Sequence, residues 1–366
     1  MAAQLTSDKQ PSHLPARNVW LLVNPRAGRG RADAVGRQLE LELQRRGHAV
    51  EKTDRPPLEA RCALRPDVVI AVGGDGTQRV VVQRLFDLFG NDVPPLLPVA
   101  MGTANLLAQY LDQPQNLGQL AMKQIKASLP GPSDLAAKIR RGLRKHSELA
   151  RSPKVSDAAR TLSSHFSTRP RTNRTLASQV ADAVERDRRV RLDVPSVNGE
   201  RFLLMCGVGL DASVVEEVHA NRRGPITLLQ YALPAMSAAL RYDFPRVDVT
   251  VDGKRLWRER GIVMVSNVPQ YGTGYPLAPG ALGDDGLLDV VCLPCLSRID
   301  LLQWLARITS GQHVHHHDAF LKRGRQIELA GDGAIPAQVD GDPGGKLPVA
   351  AAMDGASIEL VRTATT

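Results

Sequence analysis

Between residues 18 and 112 the chain alternates between two hydrophobic patterns. Short runs that are apolar at almost every position ("NVWLLVNP", "DVVIAV", "PLLPVA") are separated by stretches whose apolar residues recur every three or four positions. "RGRADAVGRQLELELQRRG" has this second pattern through Val35, Leu39 and Leu43 and stops at Gly47, as a helix does. "HAVEKT" reads as a further strand, "EARCAL" as the start of a helix, and "RVVVQRLFDLFG" and "TANLLAQYL" as helices. Strands that are apolar throughout and alternate with helices predict a parallel sheet covered on both faces. From about residue 188 the pattern changes to short strands bounded by turn residues, among them "RRVRLDV", "RVDVTVDG", "RGIVMVSNV", "GLLDVVCL", "QIELAG" and "IPAQVDGDP". Helical stretches interrupt them at "SVVEEVHANRR", "PITLLQYALPAMSAAL" and "RIDLLQWLARIT". The second half is therefore expected to be β-rich, with sheets packed face to face.

The fold class read from these patterns is α/β: an N-terminal parallel-sheet domain followed by a β-rich (β-sandwich) domain. The expected division is a lead-in over 1–17, the α/β domain over 18–116, a linker over 117–187 and the β-rich domain over 188–366. The last segment is free to return to the first domain. A chain of 366 residues can bury two cores, and 43% hydrophobic with 23% charged residues fits a globular protein. No apolar run approaches the roughly 18 residues of a membrane span, and the N-terminal segment has no signal-peptide core. The cytoplasm is the expected compartment. Cys292 and Cys295 form one C-x-x-C inside an apolar run, with no second pair to complete a zinc site, so they read as buried thiols.

Charge adds one feature that hydrophobicity does not show. Residues 131–175 hold eleven lysines and arginines against three acids, nearly the whole of the net charge of +9. This segment reads either as a solvated linker or as an arm that meets an acidic surface such as anionic lipid; a nucleic-acid partner is not expected.

The candidate chemistry sits where the first-half strands end. "NPRAG", "GGDGT" and "MGTAN" each follow a predicted strand, the edge at which such sheets bind ligands. Gly73, Gly74 and Gly76 let a ligand approach the backbone without Cβ interference, and free N–H groups in such a turn form an anion site. Asp75 would repel phosphate unless a cation lies between, a role suited to Mg²⁺. Thr77 opens the next helix, whose macrodipole favours negative charge. Neither the dinucleotide-binding fingerprint nor the P-loop pattern is present. In the second half, Asp340 and Asp342 flank Gly341, so both are expected to face one cleft, where a carboxylate can accept a hydroxyl proton. "HVHHHDAF" offers four histidines, yet no acid or cysteine cluster adjoins it, and it reads as a solvated strand or turn rather than a metal site.

Taken together, the three loops resemble those of the diacylglycerol kinase catalytic-domain family, which includes bacterial lipid kinases and sphingosine kinases. "CGVGLDASVV", "SNVPQYGTGYPLAPGALGDDGLLDVV" and "AQVDGDP" resemble its C-terminal landmarks. The resemblance implies an ATP-dependent lipid kinase acting on a diacylglycerol-like hydroxyl. It implies an ATP site of Asn24, Pro25, Arg26, Ala27, Gly28, Thr53, Gly73, Gly74, Asp75, Gly76, Thr77, Gly102, Thr103 and Asn105. Catalytic roles fall to Asp75, Asp340 and Asp342. A further Mg²⁺ would take the Asp285 carboxylate and the carbonyls of Leu282 and Leu287. The chain departs from the family pattern at four places. Arg79 and Val80 stand where Asn-Glu is usual, Leu106 where Asp is usual, and Asp342 where Glu is usual; the basic segment is inserted. Arg79 is expected to meet a phosphate or an acid of the other domain. NAD kinases share the Gly-Gly-Asp-Gly-Thr loop, so a soluble-substrate kinase is one alternative; a non-catalytic nucleotide or lipid binder is the other.

Overall fold

Successive residues of the first strand point to opposite sides, and both sides are buried. In β1 (Asn18–Val23), Val19, Leu21 and Val23 pack into one core while Trp20 and Leu22 pack into another. The structure is a computed structural model describing residues 15–54, 65–102, 104–112, 175–220, 241–271 and 275–363. Residues 1–14 of the lead-in, the helix start at "EARCAL", Thr103, residues 131–174 of the basic segment and "PITLLQYALPAMSAAL" lie outside the described residues.

β1, β2 (Ala49–Thr53), β3 (Val68–Gly73), β4 (Leu96–Ala100), β5 (Arg189–Asp193) and β19 (Ser357–Val361) form one sheet in the order β2-β1-β3-β4-β19-β5. All pairs are parallel except β19 with β5. One face is covered by α1 (Ala32–Arg45) and α4 (Leu176–Arg186), the other by α2 (Asp75–Phe89). Residues 176–193 thus belong with the first sheet rather than with a linker or the sandwich. The reason is visible at Arg46, whose guanidinium reaches Asp182 (2.7 Å), Glu185 (3.0 Å) and the Ser178 hydroxyl (3.0 Å) on α4, while Val180, Ala181 and Val184 are buried.

The β-rich half contains β6 (Ser196–Val197), β7 (Glu200–Arg201), β8 (Met205–Val208), β9 (Arg246–Val251), β10 (Lys254–Ser266), β13 (Leu288–Pro294), β14 (Phe320–Gly324), β15 (Gln326–Gly331), β16 (Pro336–Val339), β17 (Asp342–Lys346) and β18 (Val349–Ala352), all antiparallel. The hairpin β11 (Gln270–Tyr271) with β12 (Tyr275–Pro276) stands apart. β10 belongs to both layers: Lys254–Arg260 pair with β9, and Gly261–Ser266 pair with β8 and β13. A Cβ at Gly261 would lie 2.4 Å from the Leu293 carbonyl, so only glycine fits where the strand crosses. A dry core of Val247, Val249, Val263, Val265, Val290, Ile327 and neighbours fills the space between the layers. α5 (Leu210–Ala220), α6 (Arg298–Thr309) and α3 (Leu106–Asp112) join the core that runs on from Trp20 and Leu22, so both halves share apolar contacts.

Candidate active site

Small residues at three strand ends interlock, and the closest approaches require the absence of a side chain. The Gly28 amide donates to the Met101 carbonyl (2.8 Å), and Gly28 has φ of +59°. A Cβ at Gly102 would lie 2.6 Å from the Gly74 Cα, and a Cβ at Gly73 would lie 2.4 Å from the Thr77 side chain. Asn24 Nδ2 donates to Thr77 Oγ1 (2.9 Å), which ties "NPRAG" to "GGDGT". Asn105, with φ of +54°, closes "MGTAN" by accepting from the Gly102 amide (2.7 Å) and donating to the Gly102 carbonyl (3.0 Å). Thr53 ends β2, paired with Leu22 of β1; Pro25 and Arg26 are exposed at the turn after β1, and Ala27 is half-buried.

Asp75 occupies the first turn of α2, but its carboxylate is turned onto the next loop. It accepts from the amides of Leu106 and Leu107 (3.1 Å each), the start of α3. Burial pushes its carboxyl above the usual range, against the pull of these amides. Leu106, which stands where the family carries Asp, is buried here and contributes its amide to this contact.

The second-half acids diverge. Asp340 and Gly341 form a two-residue turn between β16 and β17, with φ of +52° and +84°. The Asp340 carboxylate accepts from the amides of Leu203 (2.8 Å), Leu204 (2.8 Å) and Met205 (2.9 Å) and is buried. Burial pushes it up to about 6, opposed by those amides and by the Arg79 charge. Asp342 has different partners. Its Oδ2 accepts from the Arg79 guanidinium (3.1 Å), and a Cβ on Gly76 would lie only 3.1 Å from that oxygen. The two acids therefore do not share one cleft: Asp340 anchors the turn, and Asp342 meets the glycine loop. Arg79 also lies 3.9 Å from Glu200 of β7, and its side chain is 16% exposed. Of its two expected partners, the structure brings it to the acid of the β-rich half.

Asp285 caps its own turn. It accepts from the Leu287 amide (3.1 Å), and its other oxygen lies 3.4 Å from Arg323, which also binds Asp289 (2.9 Å). The Leu282 carbonyl accepts only a long bond from the Asp285 amide (3.5 Å). The histidine cluster forms a turn rather than a strand, and His313 is buried, with Nε2 2.8 Å from the Leu277 carbonyl. Cys206, Cys292 and Cys295 are free buried thiols.

Several residues at the site carry no short-range sequence signal. Asp211 of α5 accepts from the Tyr271 hydroxyl of β11, and burial pushes its carboxyl up against the pull of Tyr271 and Gln338. Gln338 also accepts from the Gly341 amide (2.8 Å) and so sets the acid turn. Gln78 is buried and donates to the Ala71 carbonyl (3.0 Å), fixing α2 on β3. Asp211 is the last residue of "CGVGLD", but its partner lies sixty residues away, so the pairing carries no local signal.

Similarity to known proteins bears on this geometry. Residues 18–137 match the family described as "Diacylglycerol kinase catalytic domain", and residues 205–362 match "YegS C-terminal NAD kinase beta sandwich-like domain". The chain is 22% identical over 157 residues to a diacylglycerol kinase of Bacillus subtilis, covering 43% of this chain and 52% of that one. It is 26% identical over 156 residues to a probable lipid kinase YegS-like of Shewanella frigidimarina, covering 42% and 49%. These matches span about half the length of either relative. A diacylglycerol kinase of Staphylococcus haemolyticus aligns at 20% identity over 90% of this chain and 83% of its own. The crystal structure of a diacylglycerol kinase from Bacillus anthracis str. Sterne shares the fold, with a TM-score of 0.60 at 18% identity over 94% and 96% of the two chains. Both halves are matched in the order that the loops and the acid turn suggested: the chain carries a diacylglycerol kinase catalytic domain over residues 18–137 and a YegS-type C-terminal domain over residues 205–362.

Proposed function

We propose that this protein transfers the γ-phosphoryl group of ATP to the hydroxyl of a lipid, with a diacylglycerol-like acceptor as first choice and a sphingoid base or phosphatidylglycerol as further acceptors. One observation carries the reading: Asp342, from the β-rich half, touches the glycine loop of the α/β half at Gly76 and Arg79. Phosphoryl transfer needs the acceptor and the phosphate held in line and the moving charge neutralised, more than it needs covalent help. Gly28, Gly74, Gly76 and Gly102 let the three loops and Asp342 approach one another closely, and α2 begins at the loop with its positive dipole end, which favours phosphate. Asp342 is one-third exposed and takes the proton from the acceptor oxygen. Arg79 holds the Asp342 carboxylate in place and leaves a positive charge beside the transferred group. Asp340 holds the turn that aims Asp342.

The donor set fits Mg²⁺. Asp75 lies in the first turn of α2 beside the glycine loop, and Mg²⁺ takes one or two carboxylates with its remaining ligands from phosphates and water, so Asp75 would hold the ion through water while Asp342 stays free to accept the proton. Such an ion would neutralise the phosphate charge. The Asp285 turn offers the Asp285 carboxylate and the Leu282 carbonyl, whose own contact is long, and would hold a second ion that stiffens the turn if Arg323 gives way to it. Among the described residues no helix is long and apolar enough to cross a membrane, so the lipid must be met at a surface; we place the enzyme in the cytoplasm, working peripherally.

The names of the relatives, all diacylglycerol or lipid kinases, support this reading. Incubation with labelled ATP, Mg²⁺ and a total lipid extract, with identification of the product, tests it. A phosphorylated lipid is expected, and Asp342→Asn should reduce turnover by about 100-fold or more, the usual scale for a general base. Phosphorylated NAD with no lipid product would move the protein to the soluble-substrate class. The Arg79–Asp342 pair favours one second reading, a nucleotide binder whose acid is held neutralised; ATP binding without turnover on the whole panel would establish it.

A further inference from the structure

Leu296, Ile299, Leu302 and Leu305 follow one another at three-residue intervals and are 65, 67, 66 and 49% exposed. Three of them lie on α6 and the first just precedes it. Exposed Tyr275 of β12, which packs against α6, extends the same patch. The helix is held firmly from behind. Leu301 and Trp304 are buried, and Trp304 Nε1 donates to the Pro294 carbonyl (2.6 Å). A capping box of Ser297 and Asp300 fixes its start. Apolar residues on a mobile loop could fold away from water, but these cannot.

The charges on α6 are one-sided. It carries Arg298 and Arg307, and its single acid, Asp300, is turned onto the amides of Leu296 and Ser297 (3.0 Å each). Arg307 lies 5.0 Å over the Trp304 ring. A second copy of this chain packed on the same face would bring arginine against arginine, because a two-fold contact pairs a patch with itself. A bilayer with anionic headgroups meets both chemistries: hydrocarbon for the leucines and phosphate for the arginines. The position also suits access to the cleft, since β12 pairs with β11, whose Tyr271 donates to the buried Asp211.

We propose that α6 is a membrane-docking helix, lying in the plane of an anionic bilayer with Ile299 and Leu302 among the acyl chains and Arg298 and Arg307 at the phosphates; the lipid-kinase reading supplies the reason for the visit. The helix is about 18 Å long at 1.5 Å per residue and its apolar row is one residue wide, so binding is reversible and needs the charge.

Co-sedimentation of the full chain with mixed phosphatidylglycerol–phosphatidylcholine vesicles tests the proposal. Ile299→Ser with Leu302→Ser should lower partitioning roughly tenfold or more, and Arg298→Gln with Arg307→Gln should lower it on the mixed vesicles but not on pure phosphatidylcholine. Gln303→Trp, at an exposed position between them, should raise it, so the proposal does not depend on a variant that lost its fold. Phosphorylation of a dispersed short-chain diacylglycerol should be unchanged in all of these. Unaltered vesicle binding by the serine pair or by the Gln303→Trp chain overturns the assignment. So does a dimer, seen by light scattering, that the serine pair dissolves while vesicle binding persists. Wild-type protein that binds vesicles but phosphorylates no lipid would instead overturn the kinase reading and leave the surface standing.

Discussion

At the scale of single residues, a carboxylate's role follows from what already occupies its oxygens. Asp340 serves three buried amides, and Asp340→Ala leaves all three without a partner. At about 1–3 kcal/mol for each orphaned buried group, the cost should be several kcal/mol and should show in urea unfolding before it shows in kinetics. Because burial raises this carboxyl to about 6, the folded chain keeps a proton between pH 4 and 6 that the unfolded chain releases. Its contribution to stability therefore falls as pH rises through that window, by at most about 1.4 kcal/mol per unit, and the slope should vanish in Asp340→Asn. Asp75→Asn should remove most turnover and also lose one of two amide contacts, lowering stability by about 1 kcal/mol; calorimetry beside a turnover assay separates the two effects. Sequence spacing singled out Asp75, beside a glycine-rich strand end, and Asp342, and the structure brings Asp342 to Gly76 and Arg79 while Asp75 turns onto the Leu106 and Leu107 amides. The spacing did not reveal that Asp340 and Asp342 take different partners, since that depends on a left-handed turn and on amides far away in the chain.

At the scale of elements, tight loops make the cradle and helices hold it. Gly102→Ala would put a methyl group 2.6 Å from the Gly74 Cα, where backbone must move to make room. We expect ATP affinity to fall at least tenfold by titration calorimetry with the circular-dichroism spectrum unchanged. Asp285→Ala should weaken the Mg²⁺ dependence of turnover while ATP still binds; coincident Mg²⁺ titration curves would show the turn to be structural alone. Strong periodicity made β1, β3, α1 and α2 readable. α4 escaped notice because its buried face is built from small residues (Ala177, Val180, Ala181, Ala183, Val184) beside a basic segment that reads as linker. β5 looked like a sandwich strand, since "RRVRLDV" has strand character and nothing local says which sheet receives it.

At the scale of the whole molecule, the charge of residues 131–175 can be tested apart from the rest of the chain. Deleting residues 131–175 removes most of the positive charge. Vesicle binding by the deletion should lose the part that is sensitive to salt, because exposed charges are screened within about 10 Å at 0.1 M salt. Equal binding by the deletion and the full chain at low salt would return the segment to a linker. The strand order of the first sheet carries a consequence for how the protein is made. β4 ends at Ala100, yet its neighbour β19 begins at Ser357. A ribosome adding roughly 5–20 residues per second needs on the order of tens of seconds to supply that strand. Throughout that interval β4 lacks the neighbour that covers its edge in the finished sheet, so the first sheet is completed only when the last strand has been made.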